Sequence, residues 1–373
     1  MITIIEADSK KLLKEYVKFP FGLYKNDKNW VPPIIAEELE TFDKNKNPGF
    51  ENADATFYLA YKNNVVVGRV AAIVNWDEVN NQGKKKVRFG WMDFIDDLEV
   101  TKALLEKVVS FGRENNLEYM EGPMGFSNLD KVGVVTEGFD KIGSMITWYN
   151  FPYYKEHFES LGLVKEKEYV ENEFPFKNVK PEFFLKTKNV IEKRYDLQGM
   201  RFSKTKDIMP YVDEMFDLFN ASYASLSSFV AITETQKAYF KKKYIGFINP
   251  EYILFVKDKT GKLVAFSIVM PSFSEALQKS KGKLFPFGFL HILRARKHSK
   301  EVLFYLIGVA PEYQNKGVHA IIFNDYYEAF TKLGIQTCIR TPELADNLAI
   351  QNIWKHFDPV VFRKRCTYTK SIL

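Results

Sequence analysis

The chain has 373 residues, 46% of them hydrophobic and 27% charged, a balance that excludes a disordered or fibrous polymer and leaves length for two cores of ordinary size. Its net charge of +6 is spread along the chain with no basic tail, which argues against a nucleic-acid binder and suits a polyanionic small molecule no better than it suits plain solubility. The opening MITIIEADSKKLLKEY lacks the apolar stretch of a signal peptide and no 18-residue apolar run follows, so neither export nor membrane spanning is expected.

In chain order, the first predicted element is a hairpin: residues 57–74, FYLAYKNNVVVGRVAAIV, read as two strands around a polar turn at 62–64. VRFGWMDFI (87–95) reads as a strand, and VTKALLEKVVSFGREN (100–115) as a helix with Leu104, Val108 and Phe111 at helical spacing; LEYMEG resumes as a strand. The stretches 122–140 and 148–163 mix glycines, prolines and clustered tyrosines without a secondary-structure period. Such a composition suits a shaped loop lining a pocket, with Asn128, Glu137, Tyr149, Asn150 and Tyr153 as polar contacts, although ordinary loop packing accounts for it too. FPFKNVKPEF, around 174–183, interrupts the pattern and sets the expected boundary: one module over 1–178 and a second over 179–373.

The order then repeats. Residues 252–269, YILFVKDKTGKLVAFSIV, form a second predicted hairpin, and Gly68 and Ala265 hold matching small-residue places early in the second strands. An insertion at 279–300, KSKGKLFPFGFLHILRARKHSK, joins aromatic and aliphatic residues to a basic end. It reads either as a helix packed by one face or as a segment that covers an acyl chain or makes peripheral membrane contact. VLFYLIGV (302–309) is a strand, 318–333 a helix with Ile321, Ile322, Tyr326, Ala329 and Phe330 on one face, and IQTCIR a strand. Hairpin, strand, helix, strand, twice over, specifies an α/β fold of two modules, each a twisted mixed β-sheet flanked by helices. The two cysteines, Cys338 and Cys366, have neither metal-ligand nor disulfide spacing and suit a reducing cytoplasm. The 33 Phe and 20 Tyr imply bulky cores or a deep apolar ligand site.

The most informative stretch is LIGVAPEYQNKGVHAIIFNDYYEAF, residues 306–330, a strand, a one-glycine turn and an amphipathic helix in succession. The first amides of such a helix have no intrahelical acceptor and lie at its positive end, which makes an anion site; Gly317 permits close approach and Lys316 adds a charge. One glycine in a strand-to-helix turn is also found in ordinary α/β connections. The longer string resembles the GNAT acyltransferases, whose strand ends in Val-x-Pro-x-Tyr and leads into Gln/Arg-x-x-Gly-x-Gly/Ala. Val309, Pro311, Tyr313, Gln314 and Gly317 match, while His319 stands where the family has a small residue. The resemblance implies acetyl-CoA or another acyl-CoA as co-substrate, with no metal. It assigns main-chain contacts with pantetheine to Val309, and the diphosphate cradle to Gln314, Asn315, Lys316, Gly317, Val318 and His319. TPELADNLAIQNIWKHFD (341–358) is similar to the family's Glu-x-Asn-x-x-Ala helix, which puts Asn347 near the pantetheine. Trp354 stands where many members carry a tyrosine that protonates the departing thiolate.

In the first half the corresponding stretch, WMDFIDDLEVTKALL, has no glycine, and its carboxylates would repel a diphosphate. The chain thus resembles tandem GNAT proteins whose partner module has no CoA site. The resemblance implies transfer of an acetyl or longer acyl group to an amine of a small-molecule or lipid-like acceptor. Tyr305 and Glu137 are the candidate acid-base groups, and Asn128, Tyr149, Asn150 and Tyr153 the acceptor contacts. The alternative is a CoA-binding sensor on the same scaffold that carries out no transfer.

Overall fold

The structure is a computed structural model that describes every residue except 227, 228, 246 and 247, and the side chain of Ala349. In chain order it runs β1 (Ile2–Glu6), α1 (Lys10–Leu23), α2 (Ile35–Thr41), β2 (Ala53–Lys62), β3 (Val65–Asn75), α3 (Trp76–Gln82), β4 (Lys86–Phe94), α4 (Leu98–Glu114), β5 (Tyr119–Gly122), β6 (Val134–Glu137), α5 (Tyr153–Ser160) and β7 (Val164–Pro175). It continues with α6 (Pro181–Tyr195), β8 (Gln198–Met200), α7 (Thr205–Ile208), α8 (Val212–Tyr223), α9 (Glu234–Phe240), β9 (Ile253–Lys257), β10 (Leu263–Pro271), α10 (Ser274–Ser280) and α11 (Gly288–His298). Then follow β11 (Glu301–Val309), α12 (His319–Leu333), β12 (Thr337–Leu344), α13 (Leu348–Trp354) and β13 (Val360–Ser371). Two compact units result: Met1–Val170 with Ser274–Ile292 and Phe362–Leu373, and Glu171–Phe273 with Leu293–Val361.

In the first unit the strands lie in the order β1-β2-β3-β4-β5-β13, with β6 also on β13. All neighbours are antiparallel except β4 and β5, which α4 connects as a crossover. The β2–β3 hairpin turns on Asn63 and Asn64, both at positive φ (52° and 63°), the conformation a two-residue turn between right-twisted strands demands. The helix α4 buries Val100, Leu104, Leu105, Val108 and Phe111 on one face, where they pack with Val70, Phe89, Tyr154 and Phe158. A second apolar cluster gathers Tyr16, Val17 and Phe42 with Leu59, Ile73 and Trp91. Emptying one such site, Leu104→Ala for example, removes about 2–5 kcal/mol in transfer and cavity terms.

The second unit repeats the order: β8-β9-β10-β11-β12, antiparallel up to β11 and parallel between β11 and β12, with α12 as the crossover. One face of α12 (Ala320, Ile321, Ile322, Phe323, Tyr326 and Phe330) is buried, and the helix ends on Gly334 at φ 65°. The register makes the repeat quantitative: Gly68 faces Phe94 as Ala265 faces Val309.

Two sequence expectations need correction. The stretch read as a shaped loop contains the strand β6 and the helix α5, and 341–358 is not one helix, because β12 continues to Leu344 and the helix occupies only Leu348–Trp354. The loop reading failed at α5 because Tyr154, His157 and Phe158, its buried face, lie within a short helix dense in polar residues.

Candidate functional site

The turn between β11 and α12 opens with Pro311–Tyr313 as a single 3-10 turn, and the next residues alternate in backbone sign. Asn315 lies at φ 59° and Gly317 at φ 79°, while Gln314 and Val318 stay at −60° and −55°. Alternation of this kind turns successive N–H groups toward one side, the arrangement that cups anions. A Cβ on Gly317 would meet Ile191 Cδ1 at 3.3 Å, so packing against α6 closes the other side.

Which donors remain decides what the turn can hold. The amides of Gln314 and Lys316 are used internally, on the Ala310 (3.1 Å) and Tyr313 (3.3 Å) carbonyls. Among the described residues, none accepts from the amides of Asn315, Gly317, Val318 or His319, and no side chain caps α12. Lys316 is exposed, its ammonium lying 5.4 Å from the Tyr195 ring centre and 5.3 Å from that of Tyr313. Burial, with His356 adding to it, pushes the His319 imidazole down to about 4, so it is neutral near pH 7.

The strand leading into the turn separates from its parallel neighbour. β11 pairs with β12 only from Glu301 opposite Thr337 to Phe304 opposite Arg340, although both strands continue. On the other side β11 stays paired with β10, but Ile268 faces Leu306 and Val269 faces Phe304, which leaves Tyr305 as an extra residue in a bulge. The Ala310 amide donates to the Val264 carbonyl at 2.8 Å, so by strand alternation the Val309 amide points to the open side. The carbonyls on that edge are already covered: the Tyr223 hydroxyl donates to Ile307 (3.0 Å) and Gln314 Nε2 to Val309 (3.2 Å). Burial holds the Tyr223 phenol up at about 12, so it keeps its proton. Edge and turn together present the amides of Val309, Asn315, Gly317, Val318 and His319 as donors, while the Ile307 and Val309 carbonyls on the edge are covered.

Near the open edge, Trp354 is buried with Phe174, Phe304, Phe323 and Phe357, its indole N–H donating to Glu343 Oε1 at 3.2 Å. Arg340 is also buried, beside Glu343, Gln351 and the Trp354 ring. Sequence reasoning passed over Arg340, Tyr223 and Tyr195. An arginine inside a short strand reading IQTCIR carries no local signal of burial, and the two tyrosines lie far along the chain from the turn they serve. Asn347 caps α13, its Oδ1 accepting from the Ile350 amide (3.3 Å), which leaves its carboxamide N–H groups for a ligand.

The candidates of the first unit are mostly committed within it. Glu137 is an exposed residue ion-paired with Lys364 at 3.0 Å. Tyr149 donates to Asp27 (2.7 Å), and the Asn150 side chain clamps the Val135 main chain, accepting its N–H at 2.6 Å and donating to its carbonyl at 3.2 Å. The Tyr153 hydroxyl donates to the Phe94 carbonyl (2.6 Å), and Asn128 is exposed. Tyr149, Tyr153 and Phe151 lie ring to ring in one aromatic group with Tyr24 and Tyr154.

Two units with the same strand order, each with a register shift in its central antiparallel pair and a crossover helix between its parallel strands, define the chain as having the tandem GNAT fold. It superposes on a tandem GNAT protein from the clavulanic acid biosynthesis pathway with a TM-score of 0.58 over 100% of this chain and 99% of that one, at 10% identity. In sequence, the chain is 25% identical to Protein YghO of Escherichia coli (strain K12) over 98% of its length and 94% of that protein. It is 23% identical to the bacterial ceramide synthase of Caulobacter vibrioides over 84% of its length and 82% of that protein. The sequence matches no protein-family model.

Proposed function

We propose that this chain is an acyl-CoA-dependent N-acyltransferase whose acceptor is a lipid-like amine. The observation that carries the reading is the set of amides at Val309, Asn315, Gly317, Val318 and His319 with no acceptor among the described residues, since a diphosphate and a thioester carbonyl both need hydrogen-bond donors and offer none. The amides of Asn315, Gly317, Val318 and His319 hold the diphosphate with Lys316 beside them, and the Val309 amide and Asn347 hold the pantetheine arm. The acceptor nitrogen attacks the thioester carbon, a C–N bond forms as the C–S bond breaks, and the ammonium proton leaves to a base while the thiolate takes one up. Tyr305, placed by the bulge at the point of splay, is the first choice for proton transfer and Glu137 the second. In the first unit Asn128 is an exposed candidate contact, and Tyr149, Asn150 and Tyr153 offer ring and edge surface, since their polar ends are engaged. The lipid-like acceptor takes support from the name of the Caulobacter relative, because a ceramide is the amide of a long-chain amino alcohol.

The test is thiol release by the purified chain from acetyl-CoA and palmitoyl-CoA, with sphinganine and with a panel of short polar amines, alongside a thermal-shift titration of each CoA ester. Stabilisation by the ester and thiol release with sphinganine are expected, with Tyr305→Phe slowing release more than Glu137→Gln. A chain that binds no CoA ester sinks the reading. Binding without release by any amine would favour the sensor alternative, for which the buried Trp354, lacking a hydroxyl, is the supporting observation.

A further inference from the structure

The segment 276–300 contains seven Lys and Arg residues and no acid. It is held in place from its start. Gln278 donates to the Lys28 and Trp30 carbonyls at 2.8 and 2.9 Å, and the Gly282 carbonyl accepts from Ile35 at 3.0 Å. A Cβ at Gly282 would lie 2.4 Å from the Pro33 oxygen, so the backbone is seated tightly there. Ile292 is the buried anchor of α11.

Beyond these anchors the apolar side chains face outward. Phe285 is 79% exposed, Phe287 70% and Leu290 51%, with Phe289 and Leu293 following on the same side of α11, and the Phe285 and Phe289 rings lie 5.9 Å apart. Lys281 and Lys283 precede this group in the chain and Arg294 and Lys297 follow it, all exposed, and among the described residues none of the four pairs with a carboxylate. An exposed aromatic and aliphatic tip flanked by cations costs free energy in water and matches an interface that is apolar below and anionic above.

We infer that the tip from Phe285 to Leu293 docks the protein on the surface of an anionic phospholipid bilayer, with the rings and leucines entering the acyl boundary and the flanking cations meeting the headgroups. A second copy of this chain is a poorer occupant, because a two-fold contact would set the same cations against each other. The inference does not rest on the transferase reading, though docking there would suit an enzyme with a lipid-like acceptor.

Flotation of the full chain with vesicles tests it without any CoA ester, so its failure is distinct from failure of the transfer assay. Vesicles of phosphatidylcholine with about one third phosphatidylglycerol are expected to carry the chain up, phosphatidylcholine alone far less, and high salt is expected to weaken the binding. Phe285→Ser with Phe287→Ser and Leu290→Ser is expected to reduce binding about tenfold or more while leaving the melting temperature in place, since these side chains are exposed. Lys283→Glu with Arg294→Glu and Lys297→Glu is expected to remove the preference for anionic vesicles. Equal binding by either variant overturns the inference. So does failure of the parent chain to float, or a dimer in solution that the serine variant dissolves.

Discussion

The two crossover helices begin in the same topological place and end up in opposite states. In the first unit three residues separate β4 from α4, and the last of them, Asp97, caps the helix by accepting from the Glu99 amide at 3.1 Å; Lys62, 2.7 Å away, and the capped amides hold its carboxyl below the usual range. In the second unit nine residues separate β11 from α12 and none of them caps. The strand ends differ as well. The Phe94 amide donates to the Tyr154 hydroxyl at 3.1 Å and its carbonyl accepts from Tyr153, whereas the Val309 amide is left open. A helix dipole is common to both units, so the dipole alone does not make a site. What distinguishes the second unit is that the amides of Val309, Asn315, Gly317, Val318 and His319 are not spent on oxygens of the described residues.

The comparison can be pressed at four places. The first helical residue is Leu98 in one unit and His319 in the other. An unfolded histidine takes up its proton near about pH 6.5, whereas burial holds His319 near about 4 in the folded chain. Between those values only the unfolded state binds the proton, so the stability present above about pH 6.5 is lost as pH falls toward about 4, by up to about 3 kcal/mol. His319→Gln is expected to flatten that slope in urea titrations run near about pH 7 and about pH 5.

Asn315→Asp places in the second turn the kind of charge that closes the first. Its positive φ suits either residue. CoA affinity is expected to fall about 30-fold, near 2 kcal/mol, with the melting temperature unchanged or slightly raised, by calorimetric titration and thermal melts. Unchanged affinity would mean that the diphosphate lies elsewhere.

Tyr154→Phe, in the sealed unit, strips the Phe94 amide and the Tyr24 hydroxyl of a partner and is expected to cost about 1–2 kcal/mol in stability, with no change in CoA binding. The smallest effect is expected from Asp97→Ala, about 1 kcal/mol from the lost cap, read as a shift in the denaturation midpoint.

Much of this architecture was legible in the residues. The hairpins at 57–74 and 252–269 and the helices at 100–115 and 318–333 show strong periodicity and sit close to β2–β3, β9–β10, α4 and α12. The turn around Gly317 was legible because glycine, lysine and a strand-to-helix change coincide there. The bulge at Tyr305 was not, since a bulge is fixed by register against β10 and leaves no mark of its own in VLFYLIGV. Nor could the sequence show that Tyr153 and Asn150 are spent on main-chain groups, because such partners depend on which strand ends lie nearby.

The last strand has a temporal consequence. Residues of β13 pair with β5 and β6, Tyr368 opposite Gly122 and Cys366 opposite Val134, and Arg113 donates to the Ile372 carbonyl at 2.7 Å. The unit that leaves the ribosome first therefore cannot close its sheet until residues 362–373 have been made, and the edge of β5 that faces away from β4 must wait unpaired while residues 123–361 are synthesised. Assembly of the early half is thereby yoked to completion of the late half.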